Sequence, residues 1–262
     1  MKKRISRSLV LIVLIFSLAG CLSPSQTKCR DSLFQVSTID ALMAGIYDGQ
    51  VSFAQLQKHG DFGIGTFDAL DGEMAELDGR FYQIKNDGKA YPVSGSMKTP
   101  FAMVTYFNAD KQILINKAMG DKQLEQYISS FFLSPNIFYA IRIDGEFVYL
   151  KARSVPAQAK PYPGLSEVVK NQSTFEFHNT KGSLIGFYVP VYFKGLNVAG
   201  YHFHFLTQDR TAGGHVLSFK VRNAMVSLSY AHKFSLFLPD NKEFYALDLS
   251  KDKESEVNKA EK

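Results

Sequence analysis

From Phe62 onward the chain is a succession of short apolar and aromatic runs, each interrupted by a glycine or another turn residue. Gly63, Gly65, Gly72 and Gly79 break the first of these runs. Runs of this length, bounded by turn residues, are typical of β-strands and tight turns. Phe (22) and Tyr (13) are abundant, and aromatic side chains favour strands. We therefore predict a fold dominated by β structure.

Later segments strengthen this prediction, because they also alternate apolar and polar residues between turns. The predicted strands of this part are 138–148, 152–155, 175–177, 184–193, 201–206, 215–221, 225–230 and 234–238. Leu77–Phe81 resembles Ile143–Phe147, and the Asp-Gly pair in each is a common hairpin signal that hints at two related β units.

Helices are predicted to be few and short. Ser37-Thr38-Ile39-Asp40 has the spacing of a capping box, and a helical pattern follows it through Ile46. Further short helices are predicted from Ser52 to Gly60, over 122–132 and 164–171, and in the charged tail after residue 250. The expected class is α+β and β-rich, with two sheet-containing subdomains, a mixed sheet and a partial barrel.

The positive charge of the chain is concentrated at its beginning. Lys2, Lys3, Arg4 and Arg7 supply most of the formal net charge of +5, and the remainder is nearly neutral. No basic stripe remains to indicate a nucleic-acid partner. An apolar run follows at 9–18, shorter than the roughly 20 residues that a spanning helix needs. This combination predicts an export signal peptide over residues 1–20.

The apolar run leads into Leu18-Ala19-Gly20-Cys21, which resembles a bacterial lipobox. We expect cleavage before Cys21, acylation of Cys21 with palmitate-type chains, and a tether over residues 21–32. Several acyl chains together give stable anchoring, so the expected location is the periplasmic or extracellular face of a bacterial membrane. A plain signal peptide or an uncleaved anchor is the alternative. Cys29, the other cysteine, would have no partner for an internal disulfide.

Three of the six histidines lie close together in the sequence, at positions 202, 204 and 215. In a strand, His202 and His204 would point to the same side. The polar segment 208–214 ends in two glycines and can turn the chain back, which would place His215 on the neighbouring strand. Catalytic zinc sites commonly use three protein ligands and leave one position open. The alternative is a half-buried strand with ordinary polar residues.

Three separate motifs resemble the acetolactate decarboxylase family. The motifs are Asp61–Phe67 with Leu70–Glu73, then Phe138–Gly145, then Gly200–Phe205 with Gly213–His215. The similarity runs from about residue 33 to the end of the chain. It implies a catalytic region at 33–262, with an N-terminal β unit over approximately 33–160 and a C-terminal metal-binding β unit over 161–262.

The family resemblance also implies a reaction. The family decarboxylates 2-acetolactate (2-hydroxy-2-methyl-3-oxobutanoate) to acetoin and carbon dioxide, a step of acetoin and butanediol biosynthesis. His202, His204 and His215 match its zinc ligands, and a zinc ion would act as a Lewis acid that stabilises the enediolate. A homodimer is the family expectation.

Further site residues follow from the same resemblance. Glu73 resembles the acidic group beside the metal, and Thr66 the residue that lines the substrate pocket. Arg153 occupies the position of the active-site arginine, which would hold the substrate carboxylate, and Arg142 is its competitor within the more distinctive motif. Glu261 resembles a carboxylate that the C-terminal segment folds back into the site. Either glutamate could deliver a proton.

Two other functions remain compatible with the histidine pattern. One is a different zinc enzyme with three histidine ligands, such as a hydrolase that uses bound hydroxide. The other is a non-catalytic metal-binding lipoprotein, which export and lipidation would suit.

Overall fold

A computed structural model describes residues 31–261. The predicted signal peptide, Cys21, Cys29 and nearly all of the predicted tether lie outside the described residues. The strands, in chain order, are β1 (Ser32–Val36), β2 (Val51–Ser52), β3 (Phe62–Thr66), β4 (Glu73–Leu77), β5 (Arg80–Ile84), β6 (Ala90–Pro92), β7 (Lys98–Thr99), β8 (Ala102–Thr105), β9 (Lys111–Ile115), β10 (Met119–Gly120), β11 (Phe138–Ser154), β12 (Ser173–Val189), β13 (Gly200–Thr207), β14 (Gly213–Ala231) and β15 (Lys233–Phe237).

The helices are short, as the sequence predicts. They are α1 (Ile39–Met43), α2 (Phe53–Leu56), α3 (Asp121–Ser129), α4 (Leu165–Val168), α5 (Lys242–Tyr245) and α6 (Glu254–Glu261), with 3-10 turns at Asp68–Leu70, Val169–Asn171 and Val191–Phe193. Thr38 caps α1, since its hydroxyl accepts a hydrogen bond from the Ala41 amide at 3.2 Å. The helix ends before Ile46 because Gly45 takes a left-handed φ of 88°, the usual conformation just beyond a helix terminus.

Two main sheets form the body of the fold. The first has seven strands in the order β15-β1-β8-β3-β4-β5-β6, and it is a mixed sheet because β15 runs parallel to β1 while the other pairs are antiparallel. The second has six strands, with β9 and β10 beside β14. Its long strands pair in the order β14-β11-β12-β13, and β13 also pairs with the beginning of β14. The β-rich, mixed-sheet prediction is confirmed.

Strand β11 is continuous from Phe138 to Ser154, where the sequence suggested two separate strands. The Asp-Gly pair at 144–145 therefore lies within a strand, whereas Asp78-Gly79 forms the turn between β4 and β5. A Cβ on Gly145 would lie 2.5 Å from the Cβ of Ala224 on β14. Glycine is thus required at this position for the close approach of two strands rather than for a turn.

The two sheets do not correspond to the predicted N-terminal and C-terminal units on either side of residue 160. β11 belongs to the second sheet with the C-terminal strands, and β15 returns to the first sheet beside β1. The reason is that each sheet buries a face against the other, so strand position depends on long-range packing and not on chain order.

Apolar side chains fill the layer between the sheets, where Leu33 and Ile64 of the first sheet pack with Ile185 and Phe187 of the second. Helix α2 packs on the other face of the first sheet through Phe53 and Leu56. Helix α3 packs on the other face of the second sheet through Leu124 and Ile128. A separate cluster joins α1, α4 and α6. Within residues 31–261, no helix combines the length and apolar character needed to cross a bilayer.

Candidate metal centre and active site

The three predicted histidines converge. His202, His204 and His215 are buried, and each offers a ring nitrogen within 4.8 Å of the nitrogens offered by the other two. His202 Nε2 and His215 Nδ1 are 3.1 Å apart. Two nitrogens bound to one tetrahedral zinc at 2.0–2.1 Å would be about 3.3 Å apart, so this spacing suits a shared metal. The predicted convergence of the imidazoles is confirmed.

Strand register explains this convergence. His202 and His204 alternate with Phe203 and Phe205, whose rings pack on the α3 side of the sheet. His204 lies directly opposite His215 in the β13–β14 pairing. The two strands are linked by a tight turn at 208–212, and β14 can approach β11 closely because a Cβ on Gly214 would lie 2.6 Å from the Arg153 carbonyl oxygen.

Main-chain carbonyls orient two of the rings. His204 Nδ1 lies 2.8 Å from the Met74 carbonyl oxygen, and His215 Nε2 lies 3.1 Å from that of Glu261. A ring nitrogen that donates to a carbonyl leaves the other nitrogen as an acceptor, here Nε2 of His204 and Nδ1 of His215. Burial lowers the pKa of His204 to about 3 and holds the pKa of His215 well below its usual value. Both imidazoles are therefore neutral, the form that binds metals.

Two carboxylates and one guanidinium adjoin the histidines. Glu73 Oε2 is 3.6 Å from His204 Nε2, and Glu261 Oε2 is 3.6 Å from both His202 Nε2 and His215 Nδ1. Arg153 lies between the carboxylates, with Nη1 2.9 Å from Glu73 Oε1 and Nη2 3.5 Å from Glu261 Oε2. All three charged side chains are buried. The structure thus brings together every catalytic residue predicted from the sequence.

Burial dominates the ionisation of both carboxyl groups. It raises the pKa of Glu73 to about 7, while Arg153 opposes and Glu261 adds to the shift. It also raises the pKa of Glu261, again against Arg153. One guanidinium shared by two buried carboxyl groups therefore does not hold both fully ionised at neutral pH.

The residues around the histidines come from different strands and from helix α6. Glu73 opens β4 and lies opposite Thr66, the last residue of β3. The Thr66 hydroxyl donates to the Gly72 carbonyl at 2.7 Å, which fixes the turn before Glu73. Arg153 lies opposite His215 near the end of β11. Helix α6 contributes Glu261 because Val257 and Ala260 on the same face pack against α1 and α4.

A small cavity of about 30 Å³ lies beside this group. Its polar wall contains the predicted residues Thr66, Glu73, Arg153, His202, His204 and Glu261. Its apolar wall contains residues to which the sequence analysis assigned no role in the site, namely Ile39, Leu42, Leu70, Phe101, Val155 and Leu165. Sequence pattern alone does not separate these residues from the rest of the core, because buried apolar side chains are ordinary core residues. We name this space, with its two walls, the inner cavity.

The remaining candidates lie elsewhere. Arg142, the competitor of Arg153, donates to Asp78 and Asp144 in a partly exposed network away from the histidines. His59 stacks on Phe34, whereas His178 and His232 are largely exposed. This agrees with their interpretation as structural or surface residues.

Comparisons with known proteins agree with the geometry. Residues 33–251 match the family model described as alpha-acetolactate decarboxylase. The chain is 50% identical over 235 residues to the alpha-acetolactate decarboxylase of Methanosarcina mazei, covering 90% of this chain and 82% of the relative. It is 47% identical over 229 residues to that of Methylococcus capsulatus, covering 87% and 88%.

A solved structure is similar over the same region. The crystal structure of alpha-acetolactate decarboxylase from Bacillus subtilis strain 168 superposes with a TM-score of 0.86 at 39% identity, covering 88% of this chain and 99% of that one. The family match ends before α6 and does not include Glu261, which lies beside His202 and His215 in this chain.

Proposed function

Because the chain belongs to the alpha-acetolactate decarboxylase family, we propose that it converts 2-acetolactate to acetoin and carbon dioxide. The observation that supports this most directly is the buried group of three histidines, two glutamates and Arg153 beside one small cavity. A β-keto acid needs a sink for the electron pair of its breaking C–C bond and a proton for the carbon that loses carbon dioxide.

His202, His204 and His215 would hold a zinc ion. Their neutral rings and the spacing of their nitrogens suit a divalent cation, and imidazole is a preferred zinc ligand. When bound, zinc supplies a Lewis acid for the negative charge that gathers on substrate oxygen as carbon dioxide leaves.

Arg153 would bind and orient the substrate carboxylate. Its Nη1 donates to Glu73 and its Nη2 to the Ala260 carbonyl at 3.1 Å. Its Nε is buried and has no hydrogen-bond partner within residues 31–261, so this donor is available to a substrate oxygen. A charge-assisted bond of this kind fixes the orientation of the bond that breaks.

Glu73 or Glu261 would supply the proton. The C–C bond breaks, its electron pair moves toward the ketone oxygen, and the resulting enediolate takes a proton on the carbon that carried the carboxylate. Burial raises the pKa of both carboxyl groups, that of Glu73 to about 7, which favours the protonated form that a proton donor needs. The buried walls of the inner cavity limit the access of competing water.

The test is to assay acetoin and carbon dioxide from 2-acetolactate together with the metal content of the purified protein. His204→Ala should lose both zinc and activity, whereas the matched control His178→Ala, at an exposed histidine, should keep both. Full turnover without metal would refute the mechanism. Ester hydrolysis without decarboxylation would favour the alternative zinc hydrolase, and stoichiometric zinc without turnover would favour a binding protein.

We also propose that the protein is exported and anchored through a lipid on Cys21, on the basis of the lipobox-like sequence alone. Expression in a bacterium with an alkyne-tagged fatty acid should label the wild type and Cys29→Ser, but not Cys21→Ser. Equal labelling of all three proteins, or of none, would refute acylation at Cys21.

The family expectation of a homodimer is likewise a proposal. Light scattering of the protein lacking residues 1–20 should give twice the mass of one such chain, and a mass equal to one chain would contradict it.

A further inference from the structure

The inner cavity separates groups that bind charge from groups that bind hydrocarbon. Carboxylate, guanidinium and imidazole groups form one wall, and aliphatic or aromatic side chains form the other. The proposed substrate is divided in the same way, since its oxygens need polar partners and its two methyl groups need none. The apolar wall residues are buried together in one core cluster, so an alkyl group larger than methyl would extend toward side chains that are already packed.

Leu70 differs from the other apolar wall residues in its backbone. Ala69 and Leu70 both take left-handed conformations, with φ of 57° and 56°. Residues other than glycine adopt this conformation rarely, and two in succession are held only where the surrounding structure determines them. The side chain of Leu70 is 3% exposed.

Hydrogen bonds fix this turn from several sides. The Ala69 amide donates to the Tyr47 carbonyl at 2.9 Å, and the Ala69 carbonyl accepts from the Gln158 amide at 2.8 Å. The Leu70 amide donates to the Phe67 carbonyl at 2.9 Å, and its carbonyl accepts from the Gly72 amide at 2.8 Å. The backbone of Leu70 therefore has little freedom to retreat from a larger ligand.

The same turn leads directly into the polar wall. The Thr66 hydroxyl holds the Gly72 carbonyl, and Glu73 follows immediately. Leu70 is thus fixed relative to Glu73 and to Arg153, which pairs with Glu73 and would bind the substrate carboxylate. Leu42 and Leu165, by contrast, lie on helices of five and four residues that pack on α6 rather than pairing in a sheet. Such short helices can adjust more readily than a turn bonded on both sides.

We propose that Leu70 is a specificity-determining residue that limits the size of the alkyl groups on the 2-hydroxy-3-oxo acid. This inference rests on the proposed function. One methylene that a rigid pocket rejects typically changes kcat/KM by about 10- to 200-fold, so truncation of Leu70 should produce a measurable change in selectivity.

The experiment measures kcat/KM for carbon dioxide release from three probes. They are 2-acetolactate, its homologue with ethyl at C2 (2-ethyl-2-hydroxy-3-oxobutanoate), and its homologue with an ethyl ketone (2-hydroxy-2-methyl-3-oxopentanoate). In Leu70→Ala, the kcat/KM of at least one homologue relative to acetolactate should rise about 10-fold over the wild type. An unchanged ratio for both homologues would overturn the proposal.

A comparison variant separates this role from general loosening of the core. Leu77→Ala makes the same truncation at a buried residue of β4 that does not line the inner cavity. Both ratios should stay within about threefold of the wild type in this variant. An equal rise in Leu77→Ala would show that Leu70 has no special role.

Circular dichroism and zinc content establish that each variant is folded. If Leu70→Ala does not fold, Leu70→Met keeps the side-chain volume but adds flexibility, and it should still raise one ratio at least threefold. No rise in that variant would overturn the proposal. A wild-type protein that releases no carbon dioxide from acetolactate would instead refute the proposed function, which keeps the two failures distinct.

Discussion

Glu76 is a buried carboxyl group that the proposed reaction does not use, and replacing it with glutamine tests the electrostatics of this fold. Glu76 lies on β4 with Glu73, and its side chain is 0% exposed. Neither of its oxygens has a hydrogen-bond partner in the described part of the chain. Burial, and to a lesser degree the like charge of Asp61, holds the pKa of Glu76 well above its usual value.

The sign of the effect follows from proton linkage. The folded protein retains a proton on Glu76 that the unfolded chain releases above a pKa of about 4.3. The contribution of Glu76 is therefore most favourable below that pH, and it declines as the pH rises toward the folded pKa. One proton corresponds to about 1.4 kcal/mol per pH unit within this window. Glutamine stays neutral throughout, so Glu76→Gln should lack this decline.

The assay is urea unfolding of the wild type and Glu76→Gln between pH 5 and pH 8. The free energy of unfolding of the variant minus that of the wild type should increase by about 1.4 kcal/mol for each unit of rising pH, beginning at the acid end. Other titrating groups are common to both proteins and cancel in the difference. Glu167→Gln, at an exposed glutamate of α4, should show no such gain. A constant difference between wild type and Glu76→Gln across this range would refute the assignment of Glu76 as a buried neutral acid.

Three further predictions concern the site and its surroundings. Glu73→Gln should lower kcat by roughly 100-fold or more, the usual range for an acid–base group, with zinc retained; unchanged turnover would remove Glu73 from the chemistry. Arg153→Met leaves two buried carboxyl groups without their cation, so the free energy of unfolding should fall by about 3–5 kcal/mol in urea titrations at pH 8, and a loss under about 1 kcal/mol would contradict this. Tyr47→Phe removes a buried hydroxyl that has no hydrogen-bond partner within residues 31–261, so it should raise the free energy of unfolding by about 1 kcal/mol. Calorimetry would then show a higher Tm, and a lower Tm would count against it.

The histidine triad is the part of the site that sequence reasoning predicted most fully. Side-chain alternation within one strand places His202 and His204 on the same face, and a polar, glycine-containing connection places His215 on the adjacent strand. Both rules act over a few residues, so they hold before the rest of the fold is known. The orientation of each ring was not predictable, because it depends on carbonyls of Met74 and Glu261 from distant segments.

The choice between Arg153 and Arg142 shows the limit of such rules. Both arginines lie on β11, and nothing in the local sequence separates a site residue from a partner of surface carboxylates. Family resemblance indicated Arg153. The structure shows the physical difference, since Arg153 lies opposite His215 and is buried with two carboxylates, whereas Arg142 pairs with Asp78 and Asp144 at the surface.

By itself the sequence determined the β-rich class, several helix starts and the metal-ligand hairpin, because backbone sterics, side-chain alternation and capping act between near neighbours in the chain. Only the tertiary structure decided which sheet each strand joins, how α6 brings Glu261 to the histidines, and which aliphatic residues form the apolar wall. Tertiary packing also shifts the pKa of Glu73 and His204. The sheet arrangement, the apolar wall and these pKa shifts all arise because folding buries side chains away from water. That burial requires residues far apart in the sequence to pack together.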